Sequence, residues 1–189
     1  MGLFKTDIKK YRRYSGNKST ILLILTTQGL WALYVYRLSN SIYRSNIPKL
    51  FKRLLLVFST VWQKWIEIST GISIPYSATI GSGFYIGHFG NIIINPLAII
   101  GNNCNVSQGV TIGVSGVSEN RGVPIIGDNV YMGSNAVIAG KLKVGDNSWI
   151  GDDCTLYNLG QITIGKNVAL AHKVYLNTGG HDYERTSFD

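Results

Sequence analysis

The sequence predicts an all-β left-handed parallel β-helix that follows an α-helical N-terminal region. Three observations lead to this fold class. Aliphatic residues recur every six positions after Gly71, glycine often follows them, and residues 1–70 lack this repeat but carry long apolar segments. With 189 residues, of which 45% are hydrophobic and 15% charged, the chain has the composition of a folded protein rather than of a disordered one.

The six-residue repeat is the strongest signal in the chain. Sixteen repeat positions hold an aliphatic residue or Met, and nine of them are followed directly by Gly. A period of six fits a short strand plus a corner, in which the aliphatic side chain lies inside and glycine permits the tight turn. Three such units close one triangular coil, and stacked coils pair as parallel strands. The repeat positions are Ile74, Ile80, Ile86, Ile94, Ile100, Val106, Ile112, Ile126, Met132, Ile138, Val144, Ile150, Leu156, Ile164, Leu170 and Leu176.

The repeat is interrupted at three places. Two extra residues fall around His88–Asn91, residues Gly113–Pro124 are predicted to form a protruding loop, and two further residues fall at Asn158–Gly160. The regular coils of a β-helix present flat outer walls with few concave places where a ligand could bind. Function is therefore expected at these interruptions.

Residues 1–70 are predicted to form a basic helical region, and residues 71–189 the β-helix. Helices are predicted over Leu30–Ile42 and Lys49–Glu67, with Pro48 suited to a helix start. Residues 1–70 hold 12 Lys and Arg against 2 acidic residues, a net charge of +10, whereas the rest of the chain has a net charge of −2. Two interpretations stay open: the helices pack on each other and on the β-helix, or their basic and aromatic faces also lie on an anionic membrane surface.

Composition argues against several other classes. No apolar run reaches the length of a membrane span, and the first twenty residues are too polar and basic for a signal peptide. Cys104 and Cys154 are too few for a disulfide framework or a four-thiolate zinc site, and they fall on different sides of the predicted triangle. They are expected to be thiols that fill the core, which fits a cytoplasmic protein. No nucleic-acid partner is expected.

Residues Ile74–Val144 resemble the hexapeptide acyltransferase family, and within it the serine acetyltransferase branch. The segment G-S-G-F-Y-I-G-H-F-G-N-I-I-I at residues 81–94 is similar to the D-H-A-T-G-I-V-V segment of that branch, and V-S-Q-G-V-T-I-G at residues 106–113 is similar to its Q-S-V-T-L-G segment. The pattern I-P-x-x-x-x-I-G-x-G-x-x-I-G-H-x-G, which begins at Ile74, resembles short enzymes of exopolysaccharide and capsule clusters. The resemblance implies a homotrimer that moves acetyl from acetyl-CoA to a hydroxyl, with the coenzyme in a groove between neighbouring β-helices.

The resemblance also implies roles for individual residues. His88 is the expected general base, since histidine can take a hydroxyl proton at neutral pH and this one lies at an interruption of the repeat. Asn91 is expected beside the acceptor. The positions that match the coenzyme groove of relatives are Ser115, Ser134, Trp149 and Gly151.

A second candidate base comes from the C-terminal segment. Residues 154–160 and 175–183 resemble colanic-acid and maltose-type acetyltransferases, in which the His after a T-G pair is the base; here that residue is His181. His88 and His181 are too many coils apart to share a site, and His172 matches no motif. Three histidines also raise the possibility of a zinc site like that of β-helical carbonic anhydrases. The spacing of nine between His172 and His181 differs from the five of that family, so no metal is expected.

Three departures from the serine acetyltransferase pattern bear on the acceptor. Gly87 stands where that branch has an Asp before its catalytic His, Ser73 where it has another Asp, and Val123 where it has a second His. Because the charged groups for an amino acid are missing, a saccharide hydroxyl, free or lipid-linked, is predicted as the acceptor, in surface polysaccharide biosynthesis. Two alternatives stay open: a serine O-acetyltransferase of cysteine biosynthesis, and a non-catalytic structural or membrane-docking solenoid.

Overall fold

The computed structural model describes residues 2–158 and 160–179. In these residues four α-helices precede sixteen short β-strands. The helices are α1 (Gly2–Tyr14), α2 (Thr20–Thr26), α3 (Gln28–Arg44) and α4 (Lys49–Thr70), and a 3₁₀ helix covers Ser118–Asn120. The strands are β1 (Ile72–Ser73), β2 (Thr79–Ile80), β3 (Tyr85–Ile86), β4 (Ile92–Ile94), β5 (Ile99–Ile100), β6 (Asn105–Val106), β7 (Thr111–Gly113), β8 (Ile125–Ile126), β9 (Tyr131–Met132), β10 (Val137–Ala139), β11 (Leu142–Val144), β12 (Trp149–Ile150), β13 (Thr155–Tyr157), β14 (Ile162–Ile164), β15 (Ala169–Leu170) and β16 (Tyr175–Asn177).

The strands build a parallel β-helix of about five turns with three walls. The first wall is the sheet β1-β4-β7-β10-β13-β16, the second is β2-β5-β8-β11-β14 and the third is β3-β6-β9-β12-β15. Fourteen of the sixteen repeat positions are buried, while Leu170 and Leu176 in the last turn are half-buried. The predicted fold class, a parallel β-helix behind an α-helical region, is therefore confirmed.

Asparagines at one corner of the triangle link successive turns. Asn103, Asn129, Asn147 and Asn167 all adopt the left-handed backbone conformation, with φ between 57° and 59°. Each of the first three donates from its side-chain amide to the amide oxygen of the next, at 2.7, 2.9 and 3.1 Å. Asparagine tolerates this conformation better than most residues, so the same side chain that permits the corner also joins it to its neighbour. We call this row the asparagine ladder.

The N-terminal region contains more helix than the sequence predicts. Helices α3 and α4 contain the two predicted segments, but α1 and α2 were not predicted. The buried side of α1 consists of Phe4, Asp7, Lys10 and Tyr11, which have helical spacing. Two of these four residues are charged, so a search for apolar periodicity does not find this helix.

Buried polar contacts join the helices to the first turn of the β-helix. The guanidinium of Arg37 donates two hydrogen bonds to the carboxylate of Asp7, at 2.9 and 3.1 Å, and two to the carbonyls of Ile80 and Gly81, both at 2.6 Å. The N–H of Phe84 donates to the same carboxylate at 2.9 Å. Buried apolar residues of the helices and of the β-helix form one continuous core, so the helices are packed on the open first turn.

Helix α4 leads into the first strand at the predicted change in composition. Its C-cap, Gly71, has a φ of 67° and donates to the carbonyl of Glu67 at 2.8 Å. Among the described residues no single helix has the length and apolar character of a membrane span. Helices α2 and α3 meet that criterion only when taken together, and they are bent by 94°.

Candidate active site

The first interruption of the repeat forms an exposed corner after β3. His88 and Phe89 are exposed, whereas Ile86, two residues earlier, is buried. The hydroxyl of Tyr11 donates to the carbonyl of Ile86 at 3.0 Å and accepts from its N–H at 2.9 Å, and burial raises the pKa of this phenol. Helix α1 therefore fixes the backbone from which the corner departs.

A cavity of about 360 Å³ lies between the helices and this corner. His88 and Phe89 form part of its wall, together with Tyr85 on β3. The opposite wall comes from the helical region and was not predicted, because no motif connects those residues to His88. The residues of the helical region that line it, some in helices and some in the links between them, are Tyr11, Tyr14, Ser15, Lys18, Leu23, Thr26, Thr27, Gln28 and Gly29.

A second depression, of about 490 Å³, lies on the other side of Phe89. It contains Asn91, which has a φ of 52°, and Gln108, whose buried side-chain oxygen has no hydrogen-bond partner among the described residues. His88 and Asn91 thus line different hollows on the two sides of one exposed ring. The structure brings the two residues to one corner but not into a single pocket.

The register of the third wall lines up several predicted site residues along one corner of the triangle. Ile86, Val106, Met132 and Ile150 pair in turn, and the residues just after each of them occupy equivalent positions. The residues two positions after these four are His88, Gln108, Ser134 and Asp152. Strands in a sheet lie about 4.8 Å apart, so Ser134 is roughly 10 Å from His88 along the axis and Gly151 is roughly one strand further.

Aromatic rings cover the outer face of the same wall. Trp149 is 48% exposed and stacks on Tyr131, with ring centroids 3.8 Å apart and an angle of 20° between the rings. The phenol of Tyr131 is 3.2 Å from the hydroxyl of Ser107. Trp149 therefore offers a flat, half-exposed surface beside the corner that holds Ser134 and Gly151.

Ser115 lies apart from the other predicted coenzyme positions. It is in the loop after β7, at a different corner, where it is buried and its hydroxyl donates to the carbonyl of Asn158 at 3.2 Å. Backbone hydrogen bonds between Ser115 and Gly122, at 3.0 and 3.2 Å, close the loop on itself. Within one chain the structure does not bring Ser115 together with Ser134, Trp149 or Gly151.

Of the other histidines, His172 is at the same corner but four strands from His88, and His181 is beyond the part of the chain that the structure describes. His172 is exposed, and its Nδ1 accepts from the N–H of Asp152 at 3.3 Å. Among residues 2–158 and 160–179, His88 forms no ion pair, and no group of three or more His, Cys, Asp or Glu is placed to hold a metal ion.

Both cysteines are free and buried. Burial raises the pKa of Cys104 to about 11, so this thiol stays protonated at neutral pH and is a poor nucleophile. Burial also lowers the pKa of the Lys10 ammonium to about 8. This ammonium donates to the carbonyls of Asn103 and Cys104, at 2.7 and 3.2 Å.

The chain is similar to known serine acetyltransferases, although no family model matches it. It is 28% identical over 171 residues to the serine acetyltransferase of Synechococcus elongatus, covering 83% of this chain and 67% of that protein. It is 33% identical over 134 residues to the serine acetyltransferase of Bacillus subtilis, covering 71% of this chain but only 58% of that protein. The chain thus spans between about half and two thirds of the length of these relatives.

Among solved structures, the chain resembles the serine acetyltransferase of Brucella abortus in complex with coenzyme A. The TM-score is 0.74 over 90% of this chain and 64% of that one, at 24% sequence identity. This similarity supports the fold.

The predicted saccharide acceptor is contradicted by these relatives. They are named serine acetyltransferases, and serine was the alternative acceptor. The saccharide prediction was wrong because it gave three positions, Ser73, Gly87 and Val123, more weight than similarity that extends over most of the chain. The prediction of a role in surface polysaccharide biosynthesis is wrong for the same reason.

Proposed function

We propose that the chain is an acyltransferase of the hexapeptide-repeat type and that it transfers an acetyl group from acetyl-CoA to the hydroxyl of serine. The observation that carries the proposal is the corner after β3. There an exposed histidine borders a cavity and shares one edge of the β-helix with Ser134 and Gly151. The names of the relatives support serine as the acceptor and acetyl as the transferred group, and the coenzyme A complex of the Brucella abortus enzyme supports acetyl-CoA as the donor.

His88 would act as the general base. Its neutral imidazole takes the proton of the serine hydroxyl while the hydroxyl oxygen forms a bond to the thioester carbonyl carbon. The carbon–sulfur bond then breaks, and the coenzyme thiolate leaves and takes the proton back from the imidazolium. The N–H groups of Phe89 and Gly90 donate to no acceptor among the described residues, so they are available to the oxyanion of the intermediate.

The amino and carboxylate groups of serine need partners other than the Asp and His residues of the serine acetyltransferase pattern, which are Ser73, Gly87 and Val123 in this chain. Among the described residues that line the His88 cavity, Lys18 is the one Lys, Arg, Asp or Glu. We assign to its ammonium the attraction of the serine carboxylate. Replacing Lys18 by Ala should then raise the KM for serine more than it lowers kcat, because the contact is made equally in the ground state and the transition state.

The coenzyme would lie along the third wall. Ser134 and Gly151 form the corner there, and the half-exposed ring of Trp149 provides an adjacent apolar surface. Ser115 would reach this groove only from a neighbouring chain, which is compatible with a groove between subunits of a homotrimer. Light scattering that gives an active monomer would contradict the trimer.

The decisive experiment measures release of the coenzyme thiol from acetyl-CoA in the presence of serine. His88→Ala should lower the rate by about 10²–10⁴-fold, which is the usual effect of removing a general base. His172→Ala is the matched control, since this histidine is exposed and lies at the same corner in the last turn. If the folded wild-type chain releases no thiol in the presence of serine, serine is not the acceptor. If activity is lost in His181→Ala but not in His88→Ala, the general base is His181 and not His88.

A further inference from the structure

The outer side of α4 is apolar. Nine of its large hydrophobic side chains are between 44% and 77% exposed, although they occur in a folded chain with a well-packed core. They fall on one side of the helix, away from the buried Ser59 and Thr70. Exposed apolar patches of this extent mark interaction sites. The nine are Leu50, Phe51, Leu54, Leu55, Val57, Phe58, Val61, Trp65 and Ile68.

Helix α2 extends this surface. Four of its side chains, Ile21, Leu22, Ile24 and Leu25, are also exposed. Ile24 lines an apolar hollow of about 300 Å³ whose opposite wall includes Trp62 and Ile66 of α4, and a second hollow of about 370 Å³ follows along α4. The exposed residues of α2 and α4 therefore form one surface, which we call the apolar face.

The surroundings of the apolar face are strongly cationic. Residues 1–70 contain twelve Lys and Arg but only two carboxylates. Asp7 is buried against Arg37, and Glu67 lies 2.8 Å from Lys64, so the described part of this region has no carboxylate without a cationic partner. On α4 itself Lys49 and Arg53 are exposed one turn apart.

These features favour one occupant for the apolar face. A second copy seated face to face on this surface would place Lys49 and Arg53 of the two copies near each other, and like charges across an interface oppose association. An anionic lipid surface instead offers headgroups for the cations and an acyl boundary for the Trp, Phe and Leu side chains, which is how interfacial amphipathic helices bind. We propose that the apolar face docks on an anionic bilayer surface, with α4 lying parallel to the membrane plane.

Vesicle flotation of the full chain tests this proposal, which does not rest on acetyl transfer. The probes are vesicles of phosphatidylcholine with and without phosphatidylglycerol, at low and at high NaCl. The chain should float with the phosphatidylglycerol vesicles at low salt, and binding should fall at least about tenfold at high salt, since attraction to anionic headgroups is screened.

Paired variants separate the apolar face from exposed apolar residues in general. Phe58→Gln/Trp65→Gln should lower the partition coefficient at least about tenfold, equivalent to about 1.4 kcal/mol. Leu97→Gln/Val117→Gln is the matched control, because these β-helix residues are 72% and 66% exposed, much as Phe58 and Trp65 are. Circular dichroism confirms that each variant is folded.

Three results would overturn the proposal. The first is a folded chain that stays behind when anionic vesicles float at low salt. The second is equal binding by Phe58→Gln/Trp65→Gln and by wild type. The third is self-association without vesicle binding, if light scattering shows that it depends on concentration and is lost in Phe58→Gln/Trp65→Gln. That result would assign the apolar face to a contact between copies of the chain.

Discussion

The buried pair Asp7–Arg37 should be the most sensitive point in the attachment of the helices to the β-helix. The two side chains are 0% and 4% exposed, so neither charge has access to water. Asp7→Asn keeps the shape of the side chain but leaves the guanidinium of Arg37 buried without a counter-charge. Breaking a buried pair in this way costs about 3–5 kcal/mol, because the remaining charge is uncompensated.

The geometry supports a cost within that range. Asp7 accepts two hydrogen bonds from Arg37 and one from the N–H of Phe84. An Asn side chain offers one acceptor oxygen instead of two, and its amide NH₂ would face the donors of the guanidinium. At an effective dielectric constant near 20, two unit charges 4 Å apart interact by about 4 kcal/mol, which is close to the cost expected from mutational data.

Urea unfolding followed by circular dichroism measures the effect as a change in the free energy of unfolding. Lys64→Ala is the control, because the Lys64–Glu67 pair is largely exposed and should contribute less than about 1 kcal/mol. The double variant Asp7→Leu/Arg37→Met, which removes both charges, should be less destabilised than Asp7→Asn. A loss below about 1 kcal/mol for Asp7→Asn would refute the reasoning.

Three further predictions concern a lysine, a glycine and a tryptophan. The pKa of Lys10 is lowered from 10.5 to about 8, so the unfolded chain binds more protons than the folded chain between these pH values. The free energy of unfolding should therefore rise with pH in this window, by at most about 1.4 kcal/mol per pH unit. Urea titrations at several pH values should show that slope reduced in Lys10→Met, and an unchanged slope would contradict the assignment. Gly140→Ala should destabilise the fold by at least about 2 kcal/mol in thermal unfolding, since its φ is +104° and the new Cβ would overlap the buried side chain of Asn158. Gly16→Ala is the control for backbone strain alone, because Gly16 has a φ of +67° and open space around it. Trp149→Ala should raise the KM for acetyl-CoA several-fold with little change in kcat, and a KM equal to that of wild type would remove this residue from the coenzyme site.

The β-helix could be predicted from the sequence because its core repeats at a fixed interval. Each inward position, such as Ile112 or Met132, follows from the six-residue spacing alone. The interruption at His88 is found because the spacing there is eight residues instead of six. Helix α1 could not be predicted in this way. Its inward face includes Asp7 and Lys10, whose burial depends on partners that are distant in sequence.

The candidate site was predicted in part, for a similar reason. Spacing and resemblance identified His88, Ser134 and Gly151, and the register places them along one corner. Lys18, between α1 and α2, and the other residues of the helical region meet His88 only through tertiary packing, so no local pattern indicates them. The acceptor was predicted wrongly because missing charged groups at Ser73, Gly87 and Val123 do not by themselves identify the acceptor.

The corner at residues 87–91 has a consequence for how such a fold diversifies. The two extra residues there leave Ile86 and Ile94, the repeat positions on either side, both 1% exposed. Gly90 and Asn91 absorb the added length with φ values of 102° and 52°, and the next strand resumes its register. The insertion at this corner thus leaves the core intact while it reshapes the surface beside His88. Selection can alter the acceptor at this corner with little effect on stability, so related chains are expected to differ in specificity here before they differ in fold.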